Sequence, residues 1–478
     1  MKIKLLFLIT LFCALVFEVS AQTYPSLNFN LLSKMAPNGD NTGYDGRRYS
    51  GCWGWVQTSK NKEYAIIGAS SKTYFVDVTN PLVPVICDSV NNKHAGCTWR
   101  ELKTYQNYCY IVSDDGAPNT FQIIDMQYLP DSVHVVKDDN LLFERGHTCW
   151  VDGNKLYVGG VTSATSTLYN MQVFSLATPT APVLLRTLSI DYPTISYVHD
   201  MFVRNDTVYA SAGNQGLFVF KFNTSTNTFS ALGAFTGYPE AGYNHASSLT
   251  KNGNTLVFCD EVPTGVSIKV ADVSNLTNIV LSSTVEPNSN VEFVGHNPYV
   301  IGNNYAFVSC YQDGLVLYDI SNPNAPVLAG YFDSYPQGGA NFGNNYGSSS
   351  YRGNWGAYPF LPSGVIIVND MQNGFFLIKS TVTGVGIKEN INALNANIYP
   401  NPAKNNLSIT FANPNTKYYS IEITNVLGQS VYTENNLNDC SFPVTFKTID
   451  VTSLESGSYL VSVKAGEKQY QKKIIIAK

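Results

Sequence analysis

The sequence predicts an all-β protein, a seven-bladed β-propeller followed by a small Ig-like β-sandwich, and three observations carry that prediction. A unit of about fifty residues recurs seven times between Trp53 and Ile378, and a period of that size marks a repeat architecture. Each unit breaks into short apolar runs separated by Asn, Gly, Asp and Pro, which is strand-and-turn spacing rather than helix spacing. The last stretch of about 80 residues leaves that period and alternates in short strands of its own, the pattern of a small sandwich.

Residues 1–21 read as a secretory signal peptide: Lys2 and Lys4 precede an apolar run over 5–17, and Ser20 and Ala21 supply small residues before Gln22. That run is too short to span a bilayer. No later segment is long and apolar enough to do so, so the mature chain is predicted to lack a transmembrane helix. The propeller is assigned to residues 22–380. Its copies open on Trp53, Trp99, His147, His199, His245, His296 and Trp355, and most later carry an apolar strand ending in Asp, as at Asp77, Asp125, Asp272 and Asp319. Ser175 and Lys221 replace that Asp in the third and fourth copies. Four strands per copy make one blade. The seventh copy has three, and the strand-like segment 27–35 before the first copy is predicted to supply its fourth, removing exposed edges. Residues 335–354, rich in Gly, Asn, Ser and Tyr, are predicted to form a long surface loop. Residues 381–395 read as a linker, and 396–478 as the C-terminal domain.

Composition narrows the partners. Charged residues make up 14% of the chain and the net charge is −5, with no basic footprint for nucleic acid. Eight of the nine cysteines lie outside the leader, and an oxidising destination permits disulfides. Cys87 and Cys97 flank one connection between repeats as a candidate pair, whereas Cys109, Cys259 and Cys310 fall in apolar strands, where free cysteine packs well.

Consecutive strands of a blade are antiparallel, so the start of the innermost strand and the end of the second share one face of the propeller. That places His147, His199, His245 and His296, completed by Trp53, Trp99 and Trp355, beside Asp114, Asp260, Glu261, Asp313 and Asp370 as candidates to line the channel mouth. Four histidines near carboxylates suit a divalent metal, with His147, His199, His245 and His296 as ligands, or general acid–base chemistry. The competing reading is structural, with Gly146-His147 and Gly295-His296 tying blades together by hydrogen bonds. His94 and His134 fall outside the register and are expected to face solvent. No serine-nucleophile elbow, HExxH helix, phosphate loop or dinucleotide fingerprint occurs in a fitting context. Asp88-Ser89-Val90, Asp131-Ser132-Val133 and Asp206-Thr207-Val208 have the form of a short O-glycosylation acceptor.

The C-terminal segment carries Tyr399-Pro400-Asn401-Pro402, Val426-Leu427-Gly428, Asp450-Val451 with Leu454, Gly457-Ser458-Tyr459 and a Lys-rich terminal strand. Through these it resembles the type A sorting domain of the type IX secretion system of Bacteroidetes. It implies passage through the Sec route and then the outer membrane by type IX machinery engaging 396–478, ending at the cell surface or outside the cell. The repeats resemble LVIVD-repeat propellers of the choice-of-anchor B family, through EYAIIGASSKTYFVDVTNPLVPV, TWRELKTYQNYCYIVSDD, YVHDMFVRNDTVYAS and WGAYPFLPSGVIIVNDMQNGFFLI. That family brings a fold and no established activity. The expectation is an exported binding or interaction module for an extracellular glycan or protein. The alternative is a metal-dependent, hydrolase-like extracellular enzyme working through the His ring.

Overall fold

The computed structural model describes residues 23–37, 46–93, 96–287, 292–339, 346, 351–384, 394, 396–412, 419–425, 429–436, 444–466 and 468–478. The predicted signal peptide, His94, most of the predicted linker and half of the 335–354 loop lie outside them. Two compact units emerge, one of residues 1–359 with 365–385 and one of 360–364 with 386–478.

The first unit is a seven-bladed propeller. Blades 1 to 5 are four-stranded antiparallel sheets taken in chain order: residues 49–91, 100–139, 148–187, 200–235 and 244–285. Blade 6 has four strands over 297–332 and gains Ser26–Leu27 as a fifth, paired with Tyr331 and Phe332. Blade 7 has three strands over 354–380, and Phe29–Met35 adds the fourth along Gly374–Ser380. The N-terminal segment therefore closes the ring as expected, but it splits at Asn28, whose left-handed φ of 61° turns the chain from one blade edge to the next.

Local chemistry shapes the blades. Asn205 and Asp206 both adopt positive φ, 51° and 59°, which makes the two-residue hairpin between Asp200–Arg204 and Thr207–Ser211. The recurrent Asp closes a turn, accepting the N–H of the residue two positions on: Asp77 from Thr79 at 3.0 Å, Asp125 from Gln127 at 2.9 Å, Asp272 from Ser274 at 2.8 Å and Asp319 from Ser321 at 2.9 Å. Ser175 makes the same bond with its hydroxyl to Ala177, and Lys221 instead reaches back to the carbonyl of Asn205. The apolar core is a set of layers between neighbouring blades. One layer joins Ile66 and Phe75 of blade 1 to Ile111 and Ile124 of blade 2, and the next joins Tyr110 and Phe121 to Val158 and Phe174. Cys87 and Cys97 do not form a disulfide with each other, and Cys109, Cys259 and Cys310 are buried thiols. His134 is exposed, as expected, and stacks on Tyr128.

The second unit packs a sheet of Ala396–Tyr399, Asn406–Ala412 and Val444–Asp450 on a sheet of Ser430–Asn436, Tyr419–Asn425, Gly457–Ala465 and Lys468–Ile476. Alternation puts Ile398, Leu407, Ile409, Ile421, Val461 and Ile474 in one core, the period-2 burial of a two-layer sandwich.

Candidate functional site

The innermost strands of the blades bring six aromatic side chains into one ring at the channel mouth. Adjacent ring centroids are 4.0 Å apart for His147 and His199, 4.3 Å for His199 and His245, 4.2 Å for His245 and His296, and 4.3 Å for His296 and Trp355. Trp355 then stacks on Trp99 at 4.6 Å, with ring planes 19° apart. His245 and Trp355 are each the extra residue of a β-bulge, between Asn244 and Ala246 and between Asn354 and Gly356, a device that re-aims a side chain at the end of a strand.

Trp53 does not join this ring. In blade 1 the register shifts between Tyr49 and Cys52, and Ser50 takes the equivalent position, accepting the N–H of Arg100 through its Oγ at 3.2 Å. Trp53 lies further along the innermost strand, against Tyr358 and Trp150, with the Lys103 ammonium 4.2 Å from its ring centre.

Hydrogen bonds set the imidazole tautomers. Nδ1 of His199, His245 and His296 faces the backbone carbonyl of the following ring residue, His245, His296 and Trp355, at 3.3, 3.1 and 2.6 Å. A carbonyl only accepts, so each of these nitrogens carries the proton and each Nε2 keeps its lone pair. Burial, with the neighbouring imidazoles, holds His199 well below the usual histidine range. Burial and the nearby His245 do the same to His296. Burial lowers His245 too, against the pull of Glu261. His147 differs: burial opposes its charge, but Asp114, 2.5 Å from Nδ1, outweighs burial and raises it above the usual value.

Above the ring opens a cavity of about 330 Å³ lined by Arg47, Trp99, Asp114, His147, His199, His245, Glu261, Tyr311, Tyr351 and Trp355. Below it, a void of about 10 Å³ touches Glu101, His147, Asp200 and His296, room for about one water. Backbone conformation protects the mouth at Gly160, where φ is +58° and an added Cβ would meet the Tyr197 hydroxyl at 2.5 Å and His147 at 2.9 Å.

The carboxylates divide. Asp114 and Glu261 face the cavity. Asp260, Asp313 and Asp370 line neither space. Asp260 is fully buried beside Lys269, their 3.0 Å separation being an ion contact rather than an aligned hydrogen bond, and it accepts from the Tyr238 hydroxyl at 2.9 Å. Asp313 accepts from the Tyr346 hydroxyl at 2.8 Å, and Asp370 caps the N–H groups of Gln372 and Asn373. The physical reason is alternation: Asp260 and Asp370 pair opposite Asn244 and Asn354, so their side chains turn into the fold, while Glu261, one residue on, reaches the mouth.

The four-histidine ligand set likewise does not form. Among the described residues, ligand atoms of His199, His245 and Glu261 lie within 4.8 Å of one another, whereas His147 is engaged by Asp114 and His296 lines the lower void. Tyr311, Tyr351 and Arg47 were missed by the sequence reading. Tyr311 had a signal: Ala246 pairs with Cys259 and Asn297 with Ser309, so Tyr311 and Glu261 stand at the same register point of neighbouring blades. Tyr351 and Arg47 lie outside the repeat, where periodicity carries no information.

Comparison with known proteins matches residues 397–477 to the secretion system C-terminal sorting domain and residues 300–334, within blade 6, to the LVIVD repeat. Curated proteins give no match. Among solved structures the chain is similar to PorZ of Porphyromonas gingivalis, described as an essential bacterial surface component of the type-IX secretion system. Identity is 12% and the TM-score 0.43, over 87% of this chain and 58% of that one; the chain thus spans less than two thirds of that structure. No helix among the described residues is long and apolar enough to cross a membrane. The sorting domain marks the protein for type IX export to the cell surface or the extracellular space. The chain is a β-propeller whose sixth blade matches the LVIVD repeat, followed by a C-terminal type IX sorting domain.

Proposed function

We propose that the exported propeller is a binding module that takes a small extracellular ligand, a glycan unit in preference to a protein face, into the cavity above the aromatic ring. The carrying observation is the cavity itself, about 330 Å³ with Trp99, Trp355, Tyr311 and Tyr351 on its walls and Asp114, Glu261 and Arg47 among them. That volume lies at the lower end of the range for small-molecule sites, as does the mix of aromatic faces and few polar groups. Flat aromatic faces complement the C–H faces of a sugar ring, and the polar groups complement its hydroxyls. A protein partner would need a contact surface of about 800 Å², which a cavity of this size does not offer.

The test is calorimetric titration of the mature chain with mono- and oligosaccharides of bacterial and host surfaces, repeated on Trp99→Ala and Tyr351→Ala, two half-buried positions. At least tenfold weaker binding in each variant supports the reading; a saccharide bound with unchanged affinity by both moves the ligand elsewhere. A second reading, a metal-dependent enzyme acting on an extracellular polymer, draws on the convergence of His199, His245 and Glu261. Turnover of a polymer substrate that stops in Glu261→Gln would favour it.

A further inference from the structure

We propose that His199, His245 and Glu261 bind one divalent transition-metal ion, Zn²⁺ by the chemistry of the donors, with its remaining coordination positions open to the mouth cavity. This deepens the mouth-site reading and rests on it only for what the open positions would serve.

Geometry is the first support. One ligand atom from each of the three residues lies within 4.8 Å of the others, and His245 Nε2 is 3.8 Å from Glu261 Oε2. Ion-to-ligand bonds of about 2 Å for imidazole and carboxylate span that second separation directly.

Orientation is the second, independent support. His199 and His245 are only 7% and 3% exposed, and each spends its Nδ1 proton on a backbone carbonyl. Their Nε2 lone pairs are therefore left for an acceptor role, and both residues border the cavity. A carbonyl on the far nitrogen is the arrangement that fixes a metal-ligating histidine. Glu261 is held in the same fashion: the Tyr311 hydroxyl donates to Oε1 at 2.7 Å, which leaves Oε2 on the His245 side.

The donor set narrows the ion. Two imidazoles and one carboxylate, without thiolate or thioether among the cavity residues, disfavour Cu⁺, and the two nitrogens disfavour Ca²⁺ and Mg²⁺. A set of three protein ligands with open positions is the pattern of zinc sites that act on a bound molecule rather than of closed structural sites. Tyr311 is assigned as a positioning residue.

The experiment uses the mature chain, residues 22–478, stripped with chelator, dialysed and titrated with Zn²⁺ alone by calorimetry, with near-ultraviolet circular dichroism recorded on every variant. One ion per chain is expected. Glu261→Gln, which keeps side-chain size, and His199→Asn, whose amide N–H can replace the donor to the His245 carbonyl, are each expected to weaken binding at least 100-fold, and Tyr311→Phe about tenfold, within the 10- to 100-fold range of residues that orient ligands. His296→Phe, which leaves the three ligands in place, is expected to bind normally and controls for damage to the ring. A folded wild-type chain that binds no Zn²⁺ overturns the proposal, as does unchanged affinity in folded Glu261→Gln and His199→Asn. Saccharide binding by a chain that takes no Zn²⁺ would sink this site and leave the mouth reading standing; one Zn²⁺ per chain without any saccharide bound would do the reverse.

Discussion

Nδ1 of His245 donates to the backbone carbonyl of His296 across the boundary between blades 5 and 6, at 3.1 Å. The same step runs from His199 to His245 and from His296 to Trp355, so three interblade contacts are made by imidazoles, two of which, His199 and His245, border the cavity with the other ring nitrogen left for a ligand. The structural and functional readings of the His ring are thus two ends of one imidazole, and they are separable by mutation.

The structural end is tested by His296→Phe. The aromatic volume stays, but the Trp355 carbonyl loses its 2.6 Å partner and keeps only the longer 3.3 Å contact from the Asn297 side chain. A buried acceptor left poorly satisfied costs about 1–3 kcal/mol, and the remaining contact points to the lower half. Urea denaturation should show that loss; a variant as stable as the parent would mean that the ladder does not hold blades 6 and 7 together.

Ring closure depends on the N-terminal strand. Phe29 is 5% exposed and lies 6.1 Å from Phe307 of blade 6, while its strand pairs with blade 7. Phe29→Ala should cost about 3–5 kcal/mol, the usual range for emptying an aromatic core site. A loss under about 1 kcal/mol would show that the strand closes the ring through its backbone alone.

Much of this was legible in the chain, and the rest was hidden for physical reasons. The strand period exposed the blades, and the deficit of one strand in the seventh copy pointed to the segment before the first. Histidine register was readable because His147, His199 and His296 immediately precede regular strands. Trp53 misled because a bulge shifts blade 1 so that Ser50, a residue without aromatic character, holds the ring position. Asp260 and Glu261 are neighbours in sequence, yet one is fully buried beside Lys269 and the other faces the cavity. Side-chain direction at a strand end turns on pairing, and composition does not report it.

The Asp260–Lys269 pair is fully buried on both sides, so removing one partner should be far worse than removing both. Lys269→Met leaves a buried carboxylate without its cation, at a cost of about 3–5 kcal/mol. The double change with Asp260→Asn should recover part of that loss. A double-mutant cycle in which the two effects simply add would show that the pair is not coupled.

Burial lifts the Asp370 carboxyl from its ordinary 3.8 to about 6, against the N–H donors of Asn373 and Gln372, the Ser334 hydroxyl and the charge of Lys34. The folded chain therefore holds this proton more tightly than the unfolded chain. The contribution is fully favourable below about pH 4 and is lost as pH rises through about 6, by roughly 3 kcal/mol at most. Asp333, lifted from 3.8 to about 8 by burial and by Asp313 and Asp370, acts with the same sign over a wider window that extends to about pH 8. Asp370→Asn keeps the acceptor for the two N–H groups and should flatten the decline between about pH 4 and 6 in a series of urea melts. An unchanged decline would assign it to other groups.

Export is separable from the proposed ligand site because residues 397–477 match the sorting domain and the ring residues lie in the other compact unit. Val461 is fully buried in the sandwich core, whereas Leu460, next to it on the same strand, is 40% exposed. Val461→Asp places a charge among the apolar side chains of that core and should unfold the domain, since the cost of an unpaired buried carboxylate exceeds what a small sandwich has to spare. Leu460→Asp places the same charge in solvent. Immunoblots of cell fractions should find the first variant retained inside the outer membrane and the second at the surface or in the medium. Equal export of both would mean that the machinery reads a linear segment of residues 397–477 rather than the folded sandwich.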